Sequence, residues 1–598
     1  MVKQPTSEIH AGRRALDGIP EAEILHDWVW FEEPEVWGLH LALRPNLTPS
    51  EFIPARTGWY LTVSDRYPQG HVKLYPAKQG GITASFQHQS LNEEGSPTAL
   101  WRTGDLCLAT NFKQLGHQGY DFEPRVSHER LRWNVERAIE WLLAASLDRV
   151  AESNEPFELP QIRRISGLIA FQENAAQLGK WNSHSEKFGL VRLSPLNSEL
   201  HYWHTLTFST RTGKPLIKIQ WGTFLAKATS NDSDGIWIRL PQIPVVRPWR
   251  FPATWDELRE VLKAQSVDFD SCCSSAAGLE LRDGKPHFCL IGFPIPERIG
   301  QSPELMCWQA ILLPALASPH GRGGFGNDPR RLWLKDRETN FKSNGAITWV
   351  PTENWDKKQI QTRGTLPTDL TEKKTVVLGA GAIGSVLAEL LVRGGVHNLI
   401  IVDADSLKAG NLSRHTLNMQ QLGKKKASSV AARLNLVSPY AKVIGIGASI
   451  EELDEEELGQ ILEAEVVWDC TANDEVLSML EQFAWKTSAA IHSVSVSFGA
   501  KRLFLYSQLA PVNSMQFFKS IQPWLTKDLE ERGDEELPRE GVGCYHPVFP
   551  ASAVDIDLMV AVALKAVAQQ TVVGTDPVFQ VFERATENEA FTGVRKVG

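Results

Sequence analysis

The sequence predicts an α/β multidomain protein, and three observations carry that expectation. The chain has 598 residues, room for three or four separate cores. Its first quarter reads as alternating apolar and polar segments followed by one long run of helical period. Its last third holds strand, glycine turn, helix and strand in that order, which is the signature of a parallel sheet.

Taken in order, residues 1–159 form the first expected unit. HDWVWF, GLHLALRP, GWYLTVSD and HVKLYPA read as strands. SHERLRWNVERAIEWLLAAS reads as a helix with Leu131, Val135, Ile139, Leu142 and Leu143 on one face and Ser127 as its N-cap. The polar stretch ESNEPFELPQ that follows reads as a linker. Residues 160–365 form a strand-rich middle domain, with segments such as PLIKIQWGTFLA and HFCLIGFPIP, and no reaction chemistry is legible in it. The run around Arg322, Arg330 and Arg331 reads as a solvated loop. Residues 366–598 open on the strand TVVLGA, pass through a glycine turn into the helix SVLAELLVRGG, whose double glycine suits a C-terminal stop, and continue into NLIIVDAD.

Composition excludes several classes. A net charge of -9 with both signs interspersed offers no broad basic face, so neither nucleic acid nor an anionic membrane is expected as the main partner. No apolar run reaches the roughly 18 residues that span a bilayer, and the start carries no apolar signal segment, so a cytoplasmic protein is expected. The seven cysteines, at 107, 272, 273, 289, 307, 470 and 544, contain no Cys-x-x-Cys pair, which argues against a disulfide framework or a cysteine-built zinc site.

Gly379, Gly381 and Gly384 form a GxGxxG turn between strand and helix, and Asp403 ends the next strand. Such glycines let a phosphate approach a helix N-terminus, and the aspartate can accept bonds from a ribose. That pattern alone fits any nucleotide, a nicotinamide dinucleotide included. Asn411 and Arg414 in GNLSRH, and Lys426 in GKKKA, place two cations where a triphosphate needs them.

Together VVLGAGAIGS, IIVDADSLKAGNLSRH, GKKKA and VVWDCTAN resemble the ThiF/MoeB and ubiquitin-activating adenylation domain over about residues 374–473. The resemblance implies ATP and Mg2+ as cofactors, Asp403 on the ribose, Asn411, Arg414 and Lys426 on phosphates, Asn473 beside the nucleotide, and a homodimer through this domain. Relatives usually carry an aspartate where this chain has Ala472, so the metal contact falls to Asp469 or Asp474, with Asp469 the first expectation.

Acyl adenylation makes a mixed anhydride that a thiolate can capture. Cys544, in REGVGCYHPVFPAS, has glycines on one side and prolines on the other, marking an exposed loop, and its position resembles the catalytic cysteine of activating enzymes. Cys470, at a strand end, reads as core. Residues 25–146, with DRYPQGHVKLYPA, FQHQ and GDLCLATNF, resemble the ubiquitin-conjugating fold, which implies Cys107 as a second catalytic thiol and His88 as the histidine beside it. The His-Pro-Asn of that fold is absent; Asn92, Asn111 and His117 are the candidates to replace its asparagine.

An activating-type and a conjugating-type domain on one chain resemble the fused enzymes of bacterial CBASS anti-phage systems. The resemblance implies a protein partner with a free C-terminal carboxylate, a CD-NTase (a cyclic-oligonucleotide synthase), and an acceptor carrying an amine. The rival readings are another bacterial ubiquitin-like pathway, a sulfur-transfer adenylase, a nucleotide-binding scaffold and a dehydrogenase.

Overall fold

In the computed structural model the described residues are 3–598, save 109–122, 152, 164, 198, 228, 319–327, 534–535, 541–545, 548, 571–573 and 588–589. They divide into two compact units. One comprises Met1–Ile219 with Thr229–Asp356, the other Gln220–Ala228 with Lys357–Gly598.

The first unit opens on a helix the sequence reading did not anticipate, Ser7–Ala15, capped by the Thr6 hydroxyl accepting the Ile9 N–H. Four antiparallel strands follow, Ala22–Phe31, Val36–Leu43, Thr57–Val63 and Val72–Pro76, each paired to the next in chain order. Leu39, Leu41, Trp59 and Leu61 are fully buried in the core that also holds the inner face of the helix Ser127–Ser146. That face differs from the expected one. Leu131, Val135, Ala138, Leu142 and Ala145 are buried, while Ile139 is only partly so, because Trp141 and the small residues 138 and 145 define the contact stripe. Ser127 is the first helical residue rather than the cap, and its carbonyl accepts the Tyr67 hydroxyl.

The rest of this unit is a nine-stranded mixed sheet, built around Phe188–Asn197, Tyr202–Thr210, Ser233–Arg239, His287–Ile295 and Leu305–Leu313. At its centre Trp181, Phe208, Trp237 and Trp308 pack edge and face around the buried Glu173, whose Oε1 accepts both the Trp181 and Trp308 indole N–H groups at 2.7 and 2.8 Å.

The second unit carries an eight-stranded sheet in the order Lys442–Ile446, Asn398–Val402, Thr375–Leu378, Val466–Asp469, Ala490–Val496, Arg502–Leu509, Val578–Glu587 and Ala590–Lys596. The first five are parallel and the rest extend the sheet antiparallel. Strand order reverses at Thr375–Leu378, so the C-terminal ends of Leu378 and Asp469 flank the crevice where such sheets bind ligands. The helix Ala382–Arg393 stops at Gly394 and Gly395, the latter at φ 104°, as the double glycine implied. A nine-residue excursion from the middle of the chain, Gln220–Ala228, belongs to this unit: Gly222 and Thr223 donate to the carbonyls of Pro439 and Ala441 at 2.7 and 2.8 Å, and Trp221 meets Tyr440. Among the described residues no helix is long and apolar enough to cross a membrane.

Candidate active site

The glycine turn has the geometry the sequence required. Gly379 has φ 85°, and a Cβ on Gly384 would stand 1.8 Å from the Gly379 carbonyl, so neither position admits a side chain without moving backbone. Gly381 is the N-cap of the helix Ala382–Arg393 with no side-chain cap, and a Cβ there would meet nothing within 4 Å. Open space above uncapped N–H groups is what an anion needs.

Ala380, between the two glycines, is held on both sides. Its N–H donates to Asp403 Oδ2 at 2.6 Å, and its carbonyl lies 2.7 Å from His415 Nε2. Because the Leu417 N–H donates to His415 Nδ1 at 3.1 Å, the imidazole is the neutral tautomer with its proton on Nε2. Burial, with Lys426 and Arg433 nearby and Asp403 opposing them, keeps the His415 pKa below the ordinary histidine value. Asp403 Oδ1 meanwhile accepts the Asp405 N–H at 2.7 Å. Nothing in the sequence marks His415 for this role, because the signal is a contact with a carbonyl 35 residues away.

The cations are present but engaged. Lys426 is buried, with Nζ 2.8 Å from Asp405 Oδ2, and that bond is the largest cause of a lowered Asp405 pKa. The Asp405 side chain is 73% exposed, and an ion pair with one solvated partner contributes about 0–1 kcal/mol. A charge-assisted bond to a phosphate is worth about 1.5–3 kcal/mol, so the lysine can be exchanged from Asp405 to a triphosphate. Arg414 donates to the Phe549 carbonyl. Asn411 accepts the Lys408 N–H at 3.0 Å through Oδ1.

Asn473 caps the helix Asp474–Gln482, accepting the Glu475 N–H at 3.0 Å. Asp469 is buried at the strand end; Oδ1 accepts the Thr471 N–H and hydroxyl at 3.1 and 2.6 Å, and Oδ2 the Ser493 hydroxyl at 2.8 Å. Burial raises its pKa. Both residues, with Asp474, line a cavity of about 300 Å3 that continues over Phe504, Phe517 and Phe518. Asp474 is exposed, and its charge adds to the raised Asp469 pKa. Among the described residues no three His, Cys, Asp or Glu side chains cluster as metal ligands. A magnesium ion shared with phosphates needs only one or two carboxylates, and Asp469 and Asp474 are the two acidic residues lining this cavity.

Of the two thiols, Cys544 lies outside the described residues, as do Asn111 and His117. Cys107 is exposed, and its N–H donates to the His88 carbonyl at 2.9 Å, so the structure brings these two residues together through the main chain. Although the residue is exposed overall, desolvation of the sulfur by the protein around it is the first cause that pushes its pKa up, and the carboxylates of Glu158 and Asp105 add to it. The His88 ring faces Glu155 and Glu158, each 3.4 Å away. Asn92 cannot take the oxyanion role considered for it. It is buried, its Nδ2 donates to the carbonyls of Ile82 and Ala84, and its Oδ1 accepts from Arg102. Cys470 is buried, with a pKa well above the usual thiol value.

Comparison with known proteins bears on the whole chain. The ATP-dependent ubiquitin transferase-like protein Cap2 of Enterobacter hormaechei subsp. hoffmannii (strain UCI 50) is 30% identical over 581 residues, covering 95% of this chain and 95% of that one. The chain belongs to the Cap2 family. The Cap2 central linker domain matches residues 148–355, giving the middle region of this Cap2-family chain an assignment that its sequence patterns did not supply. The ThiF family matches residues 358–550, which contain the glycine turn and both cations. Within that region the molybdopterin-synthase adenylyltransferase of Haemophilus influenzae is 31% identical over 115 residues, 19% of this chain and 46% of that one. The ubiquitin-like modifier-activating enzyme 5 of Aedes aegypti is 33% identical over 75 residues, 12% of this chain and 19% of that one.

Proposed function

We propose that this chain activates the C-terminal carboxylate of a partner protein with ATP and passes the acyl group through Cys544 and Cys107 to an amine. The observation that carries the reading is the pairing, on one Cap2-family chain, of an open glycine turn with an exposed thiol in the irregular segment that follows a separate antiparallel sheet. Residues 1–159 are read as a ubiquitin-conjugating-like domain, 160–365 as the middle domain and 366–598 as the adenylation domain.

A carboxylate oxygen of the partner attacks the α-phosphorus of ATP and pyrophosphate leaves, with Arg414 and Lys426 countering the charge on the leaving group. The Cys544 thiolate attacks the acyl carbonyl and AMP leaves. The Cys107 thiolate attacks that thioester and the Cys544 thiolate leaves. An amine then attacks the Cys107 thioester, a C–N bond replaces the C–S bond, and the amine's proton passes to solvent. Asp469 or Asp474, Asp469 first, would hold magnesium, which when bound neutralises phosphate charge. The partner is read as a CD-NTase, the acceptor as a lysine amine or a small amine, the assembly as a homodimer through the adenylation domain, and the setting as cytoplasmic anti-phage defence.

The test is to incubate the full-length protein with ATP, magnesium and a CD-NTase ending in a free carboxylate, and to map the adduct by mass spectrometry. Thioester at both cysteines and an amide on an acceptor are expected. Adenylate without any thioester would favour the sulfur-transfer reading.

A further inference from the structure

The linker-domain family matches from residue 148, overlapping the last residues of the 1–159 unit, and two glutamates of that overlap stand against the segment that carries Cys107. Glu158 accepts the His88 N–H at 3.1 Å and stands 3.4 Å from His88 Nδ1. Glu155, its side chain 7% exposed, stands 3.4 Å from Nε2 on the other edge of the same ring. His88 itself sits at φ 53°, in the left-handed region where a non-glycine residue costs about 1–3 kcal/mol and persists only when its surroundings over-determine it. The carbonyl of that turn accepts the Cys107 N–H at 2.9 Å. The linker domain is stitched to the same stretch elsewhere: the Trp249 N–H donates to the Ser85 carbonyl at 3.0 Å, and Arg163 pairs with Glu93 at 3.2 Å.

We propose that residues 155–158 of the linker domain complete the Cys107 site, with Glu158 a positioning residue that holds Cys107 through His88. The inference rests on the reading of Cys107 as the second acyl-carrying thiol, and it gives the linker domain a task at that thiol beyond joining two others. Geometry carries it: one carboxylate fixes the N–H of the residue whose carbonyl fixes the cysteine. Electrostatics agree. Glu158 and Asp105 both bear on the thiol; behind Glu158 lies the His88 ring with Glu155, and behind Asp105 lies Lys73 at 3.0 Å.

The experiment is the alkylation rate of Cys107 by iodoacetamide, read by site-resolved mass spectrometry between pH 6 and 10, in full-length wild type, Glu158→Gln and Glu158→Ala. The glutamine keeps an oxygen for the His88 N–H but loses the charge. Its profile should move to lower pH, with alkylation about three- to tenfold faster at pH 7.5. The alanine loses the bond too, so the Cys107 amide should also exchange its hydrogen faster in the peptide that contains it. Should the alanine variant fail to fold, Glu158→Asp, which keeps the charge but shortens the reach to the His88 N–H, decides by the same amide exchange. Wild-type exchange of the Cys107 amide in the variant that has lost the bond would overturn the proposal. The function fails separately: no thioester on wild-type Cys107 would sink the proposed transfer and leave the alkylation result standing.

Discussion

The glycine turn and the Cys107 segment face the same problem, holding a few backbone atoms in one place, and solve it with different resources. At the turn, Ala380 is gripped by Asp403 and His415, 23 and 35 residues on, and a helix begins at the next step. Among the described residues beside it in sequence Cys107 adjoins only the isolated bridge of Leu106 with Gln89, and the residue whose carbonyl holds it is braced from 67 and 70 residues away. The first site carries its own supports within one supersecondary unit; the second borrows them from the segment that leads into the linker domain. Disturbance close in sequence should therefore cripple the turn, whereas the thiol should be open to disturbance from the linker.

The largest effect expected separates the two sites outright. Cys107→Ala should abolish amine-linked product while Cys544 still loads and stalls, leaving a thiol-sensitive band on a non-reducing gel. Product at the normal rate would break the comparison by removing the second site from the reaction. Next come Arg414→Ala and Lys426→Ala, each expected to slow pyrophosphate exchange by about 10- to 1000-fold, roughly 1.4 to 4 kcal/mol. Neither should alter Cys107 alkylation, and unchanged exchange in both would remove them from the nucleotide site. Gly384→Ala should lower the melting temperature and weaken ATP binding, since overpacking against the Gly379 carbonyl costs about 1–3 kcal/mol. Calorimetry with ATP and with NAD checks it, and tight NAD binding by the wild type would revive a dinucleotide.

The smallest effect is the pH response, where the two sites should diverge in sign. His415 has a folded pKa below its ordinary 6.5, so acid protonates the unfolded chain first. Its contribution to stability is complete above about 6.5 and is lost as pH falls toward the lower folded value. Protonation on Nδ1 breaks the bond from Leu417, and ATP affinity should weaken with it. His415→Gln should flatten this acid limb of the melting temperature; an unchanged limb would mean another group titrates. Cys107 is displaced the other way, so its reactivity should still be climbing at pH values where an ordinary thiol has levelled off.

How much could be read from sequence follows from that comparison. The turn was legible because Gly379, Gly381, Gly384 and Asp403 keep fixed offsets, each demanded by backbone geometry. Lys426 was legible as a cation, but Asp405, its partner, was not, since a surface aspartate announces nothing by its identity. His415 was invisible because its role is a tertiary contact with a carbonyl. ESNEPFELPQ was read as a tether on composition; composition could not reveal that Glu155 and Glu158 would face one imidazole. The long helix was placed correctly and its buried face only in part, because period alone does not distinguish Ile139 from Ala138 when a tryptophan at 141 sets the spacing.

The excursion of residues 220–228 has a consequence for anyone who would divide this molecule. Gly222 approaches so closely that a Cβ would stand 2.4 Å from the Ala441 carbonyl, and Trp221 lies against Tyr440. During synthesis those nine residues leave the ribosome some 200 residues before the segment that receives them, so this piece of the adenylating unit has to wait while the linker domain forms around its two ends. A fragment beginning at Lys357 would be born without it. Its Pro439 and Ala441 carbonyls would lose their donors and Tyr440 its aromatic cover, and a recombinant half-enzyme should be built as a permutation that restores the strap rather than as a simple truncation.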